Sequence, residues 1–74
     1  MRILIADDEK NIRESLQRLL ELERMEVFSV QDGLDAKRAL ENQKFDLAII
    51  DLKMPGLSGQ ELLEWIGREG LLGP

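Results

Sequence analysis

The chain has 74 residues, 15 acidic and 10 basic, with a formal charge of −5 and neither cysteine nor histidine. Residues 1–74 therefore read as one domain that buries only about 60% of its unfolded surface, and the missing residue types exclude a disulfide framework and the usual structural zinc site. The basic residues are scattered rather than striped, which argues against direct nucleic-acid binding; no apolar stretch approaches the ~20 residues of a membrane span, and the chain reads as cytoplasmic.

"RILIA", residues 2 to 6, is an isoleucine-rich run that stops at Asp7, Asp8 and Glu9. It suits a strand covered on both faces. Ile12, Leu16, Leu19 and Leu20 then recur at helical spacing and predict an amphipathic helix, with Arg13, Glu14, Gln17 and Arg18 facing water. Asp7 or Asp8 is expected to cap its start. "EVFSV", residues 26 to 30, reads as a second strand closed by the Asp32-Gly33 turn signal, and residues 34 to 42 as a short helix. "FDLAIID", residues 45 to 51, is the third strand, and a loop with Pro55 and Gly56 leads to a helix starting near Ser58. Its buried face is expected to be Leu62, Leu63 and Ile66, fading at Gly67 and Gly70. The alternation of strand and helix predicts an α/β fold, a three-stranded parallel sheet with flanking helices joined by right-handed crossovers.

In a parallel sheet all strands point the same way, so Asp7 and Asp8 at the end of the first strand share an edge with Asp51 at the end of the third. If those strands are neighbours, about 4.8 Å apart, the three carboxylates converge where open α/β sheets bind ligands. Three like charges that close repel, and a hard divalent cation such as Mg²⁺ resolves the conflict with oxygen ligands and retained waters. An aspartate after a strand is often only a cap or a turn residue, a role that suits Asp8 taken alone. It suits Asp51 less, because the third helix starts several residues later.

The chain resembles the receiver domain of bacterial response regulators. The resemblance rests on "ILIADDE", on "DG" before the second helix, and on "DLAIIDLKMPGLSGQELL" around Asp51, which places Met54-Pro55 and Gly59 at the family's spacing. It implies a flavodoxin-like doubly wound fold of which this chain holds the first three βα units, a truncated receiver. It implies a phosphoacceptor in two-component signalling rather than an enzyme acting on a small molecule. Asp51 would take a phosphoryl group from a histidine kinase or phosphotransfer protein. Asp8 directly, Asp7 through water, Asp51 and the backbone carbonyl of Lys53 would hold Mg²⁺, while Pro55 and Gly56 shape the loop and Gly59 opens the third helix.

The family's domain has five βα units, and the last two carry a Ser or Thr and a Lys that contact the phosphoryl group; residues 60 to 74 offer only Arg68 as a cation. Lys37 falls where the family usually has an apolar residue, and Trp65 where it usually has a polar one. Three readings follow: a receiver that binds Mg²⁺ and accepts phosphate poorly, a homodimerising interaction module, and an excised half of a doubly wound fold. The family's strand order turns the third strand into an edge in such a chain. A homo-oligomer is therefore expected, most simply a two-fold dimer through that edge, with exchange of helices as the other geometry.

Overall fold

The computed structural model describes residues 1–70; the expected extent of the domain over residues 71–74 lies outside them. The expected alternation is present: β1 Arg2–Ala6, α1 Lys10–Leu22, β2 Glu26–Val30, α2 Gly33–Asn42, β3 Leu47–Ile50 and α3 Gly59–Glu69. All pairings are parallel and the strand order is β2-β1-β3. Leu4 lies between Phe28 and Ala48, and Ala6 between Val30 and Ile50. Among the described residues, no helix is long and apolar enough to cross a membrane.

After Arg2, β1 is apolar because it is the middle strand: Ile3, Leu4, Ile5 and Ala6 have almost no exposed surface. Successive side chains take opposite faces. Leu4 and Ala6 join Ala36, Ala39 and Leu40 of α2 and Leu62 and Ile66 of α3 in the main core. Burying each large side chain there is worth about 1.5–3 kcal/mol. The opposite face is covered by α1, which packs over β1 and β2.

Coverage by one helix explains a correction to the expected core. No residue of α1 is buried; Ile12 and Leu19, assigned to its inner face, are exposed, Leu19 at 61%. Leu16 and Leu20 are half-buried on the helix midline, and among the described residues α1 packs only on β1 and β2, so the flanking Ile12 and Leu19 stay open. Leu63 is also exposed, at 47%. It sits about 100° around α3 from Leu62, off the seam that Leu62 and Ile66 form.

Local chemistry sets the helix ends. Asp32, expected to close β2 as a turn residue, is the N-cap of α2 and accepts the Asp35 N–H at 2.8 Å, with Gly33 already helical. Ser58 and Glu61 form a reciprocal capping box at α3, which runs through Gly67 and stops at left-handed Gly70. α1 departs from expectation: its N-cap is Glu9, with no side-chain cap. The Asp7 carboxylate is already engaged by the Glu9 N–H at 2.9 Å, just before the helix. β3 is shorter than the predicted 45–51, although Asp46 N–H and Asp51 N–H still bond to Arg2 and Ala6 carbonyls on β1, each at 2.8 Å.

The two unusual residues meet each other. The Lys37 ammonium of α2 lies 5.2 Å from the ring centroid of Trp65 on α3, a cation–π contact that ties the two helices together.

The segment between β3 and α3 is pinned at several points. Met54 is buried in the main core, Leu57 packs on it, and Gly59 N–H donates to the Leu52 carbonyl at 3.2 Å. A Cβ on Gly59 would overlap the Asp51 carbonyl oxygen and the Leu52 Cα, both backbone, so only glycine lets α3 start this close to the end of β3. Gly67 on the same helix is exposed and faces open space. Gly59→Ala is expected to destabilise the fold by about 1–3 kcal/mol through overpacking. Gly67→Ala should stabilise it by about 0.5–1 kcal/mol by restricting the unfolded chain. Urea midpoints of the two variants check the opposite signs.

Candidate functional site

The parallel β1–β3 pairing brings the strand ends together, and with them the three acids. Ala6 is opposite Ile50, and the Asp51 N–H donates to the Ala6 carbonyl. One carboxylate oxygen from each of Asp7, Asp8 and Asp51 lies within 4.8 Å of the others. Asp7 and Asp51 are half-buried, and Asp8 is exposed.

Each half-buried carboxylate is oriented by the backbone that follows it. Asp7 Oδ1 accepts the Glu9 N–H at 2.9 Å, and Asp51 Oδ1 accepts the Lys53 N–H at 3.2 Å. Such Asx-type contacts fix χ1 and leave the second oxygen of each side chain available. Among the described residues, none of the ion pairs involves Asp7, Asp8 or Asp51. Lys53 is exposed and touches the site through its backbone N–H.

Two positioning residues went unrecognised in the sequence. Arg13, assigned to the wet face of α1, turns its guanidinium back and donates from Nη1 to the Asp7 carbonyl at 2.8 Å. It clamps the end of β1 to the helix that follows. The available signal was its place in the first turns of a helix entered directly from the acidic pair, where a long cationic side chain reaches back. Met54 was noted only as part of a motif; its burial in the core anchors the backbone directly after Asp51. An apolar residue between Lys53 and Pro55 was the signal.

The donor set suits a hard divalent cation. Octahedral Mg²⁺ binds oxygens at about 2.0–2.1 Å, so its ligand oxygens sit roughly 3–4 Å apart, and separations up to 4.8 Å leave room for one contact through water. Carboxylates without nitrogen or sulfur partners favour Mg²⁺ or Ca²⁺ over zinc. Asp51, at the end of a strand with one oxygen tied back, can act as a nucleophile toward an electrophile arriving from the open side of the sheet edge.

Comparison with known proteins agrees with this geometry. The profile of the family described as "Response regulator receiver domain" matches residues 3–73. Response regulator protein PmrA of Pseudomonas aeruginosa is 38% identical over 74 residues, covering 100% of this chain and 34% of that protein. The chain thus spans about a third of this curated relative. The crystal structure of response regulator protein TrrA from Thermotoga maritima in complex with Mg²⁺-BeF is 40% identical, with a TM-score of 0.87 over 92% of this chain and 59% of that one. TrrA in complex with histidine kinase ThkA superposes with a TM-score of 0.86, at 40% identity and the same shares of 92% and 59%. The sheet order, the acidic edge and a profile match over nearly the whole chain converge: this chain belongs to the response regulator receiver domain family.

Proposed function

We propose that this chain is a cytoplasmic phosphoacceptor receiver module of bacterial two-component signalling, accepting a phosphoryl group on Asp51 from a histidine kinase or phosphotransfer protein. The observation that carries it is the convergence of Asp7, Asp8 and Asp51 at the carboxyl edge of β1 and β3, where no side-chain cation neutralises them among the described residues.

In this reading a free oxygen of Asp51 attacks the phosphorus of a phosphohistidine. An O–P bond forms as the N–P bond breaks, and the imidazole leaves with the electron pair and takes a proton from solvent. The Lys53 N–H holds the other oxygen and keeps the nucleophile aimed. Asp8 directly, Asp7 through water, Asp51 and the Lys53 carbonyl would hold Mg²⁺, which when bound offsets charge on the phosphoryl oxygens. Support comes from TrrA, solved with Mg²⁺-BeF and with a histidine kinase.

A second reading, a non-catalytic module that closes on another copy, draws on β3. Its outer edge is unpaired among the described residues, and Leu47 is exposed. For a polypeptide limited to residues 1–74, a two-fold dimer through that edge covers it.

Titration of Mg²⁺ is expected to move the amide resonances around Asp7, Asp8 and Asp51 at about millimolar metal. Asp8→Ala should weaken that response at least about tenfold. Amide shifts that ignore the metal would remove the ion from the reading.

Incubation of the 74-residue chain with acetyl phosphate and Mg²⁺ is expected to add a single phosphoryl group slowly, read by intact mass and abolished by Asp51→Ala. The pace follows from charge stabilisation: residues 1–74 supply backbone donors and carboxylates that would hold a metal, but no lysine assigned to the phosphoryl oxygens. A phosphoryl group that survives Asp51→Ala would reassign the acceptor.

A further inference from the structure

The flavodoxin-like order 2-1-3-4-5 leaves the second strand at the border of the sheet whatever follows residue 74. β2 occupies that place here. Its pairing with β1 uses Glu26, Phe28 and Val30: the Glu26 N–H donates to the Met1 carbonyl at 3.0 Å, and the Val30 carbonyl accepts from Asp7 N–H at 3.2 Å. In a parallel ladder alternate residues point their backbone groups to the same side. The N–H and C=O groups of Val27 and Ser29 therefore point outward, with no strand opposite them among the described residues.

Natural edges are usually blunted by lysine, proline, a bulge or an inward charge. Between Val27 and Val30 this edge has none of these. Beside it, beneath α2, is an open cavity of about 380 Å³, lined by Phe28, Val30 and Ala39 and rimmed by Asp35 and Arg38. Phe28 contacts Phe45 in a tilted pair at 6.3 Å, yet 42% of it stays exposed at the mouth of this cavity. Donors, acceptors and an apolar socket thus run along one free strand.

We propose that β2 pairs antiparallel with β2 of a second copy about a two-fold axis through Phe28. The edge is self-complementary in that register. Val27 stands opposite the partner's Ser29 and exchanges both backbone bonds with it, and the axis repeats the exchange on its other side. The two Phe28 rings meet at the axis on the α2 face, where aromatic cross-strand pairs are favourable. Glu26, held by Arg2 of its own chain at 2.8 Å, falls opposite the partner's Val30 and closes the paired stretch at each end. The antiparallel join puts the two Asp7–Asp8–Asp51 clusters at opposite ends of the continuous sheet, and each stays open to its own phosphodonor. This pairing depends on the free β2 edge and its side chains, and stands or falls separately from the role of Asp51.

Sedimentation equilibrium and amide exchange across a concentration series test it on the full chain. The expected result is the mass of two chains at high concentration, with exchange at Val27 and Ser29 slowed at least about tenfold as the dimer forms. Ser29→Pro removes one outward donor and leaves the β1 ladder in place, and Phe28→Lys restores an edge gatekeeper. Ser29→Ala is the control for the lost Ser29 Oγ bond to Gln17. Ser29→Pro and Phe28→Lys are each expected to weaken the dimer at least about tenfold, and Ser29→Ala is not. Should a variant fail to fold, the exchange of the unmodified chain still decides. A folded monomer at all concentrations overturns the proposal. So does a dimer whose Val27 and Ser29 amides exchange freely, or one dissociated by Ile49→Glu alone, which assigns the contact to β3. Slowing that follows added histidine kinase and not the chain's own concentration gives the edge to another occupant and overturns it as well.

Discussion

The backbone bond from the Asp51 N–H to the Ala6 carbonyl, 2.8 Å long, is the contact on which the acidic edge rests. It is the last rung of the β1–β3 ladder, and it stops the two strands at the same height. Without it Asp51 would be free to drift along the sheet, and the three carboxylates would relieve their repulsion by separating. The ladder opposes that repulsion with cooperative hydrogen bonds and a buried strand. Arg13 on the Asp7 carbonyl and Met54 in the core then hold the two loops that leave the site. The fold thereby keeps three carboxylate oxygens within 4.8 Å of one another, a donor set of the kind that hard cations take.

The two sheet faces are covered unequally, and this shapes what the domain can do. On one side α2 and α3 bury a continuous cluster with Leu4 and Ala6, knit further by Lys37 and Trp65. On the other, α1 covers β1 and β2 without burying any residue of its own. Stability is concentrated on the α2–α3 face, so the loops after β3 are carried by the better-packed half. The α1 face and the β2 border are where a neighbour has most to gain by binding.

Much of this was legible from pattern alone, for physical reasons. A run such as Arg2–Ala6 has few options other than a central strand, and strands joined by helices run parallel, so Asp7, Asp8 and Asp51 had to share one sheet edge. That they meet there needed β1 and β3 to be neighbours, which the family resemblance implied and the pattern alone left open. The misreadings fall where local chemistry had two solutions. Asp32-Gly33 satisfies a turn or a helix start equally well, and only the Asp35 N–H decided for the cap. Asp7 looked like a cap because aspartates before helices usually are, but its carboxylate closes onto Glu9 one residue too early. Ile12, Leu19 and Leu63 have core-like spacing, and their exposure depends on which helices lie beside them, which periodicity does not encode. Arg13 was invisible because side-chain reach backward along the chain leaves no mark in a hydrophobic pattern.

Trp65 is the one tryptophan in a chain with no tyrosine, so the near-ultraviolet signal comes almost wholly from a ring that carries the Lys37 ammonium on its face. The same helix begins at Gly59, against the backbone of Asp51 and Leu52. Because the ammonium belongs to α2 and the ring to α3, any shift of one helix against the other would change the distance between them. The domain therefore carries its own optical reporter, with the site at one end of the helix and the chromophore toward the other.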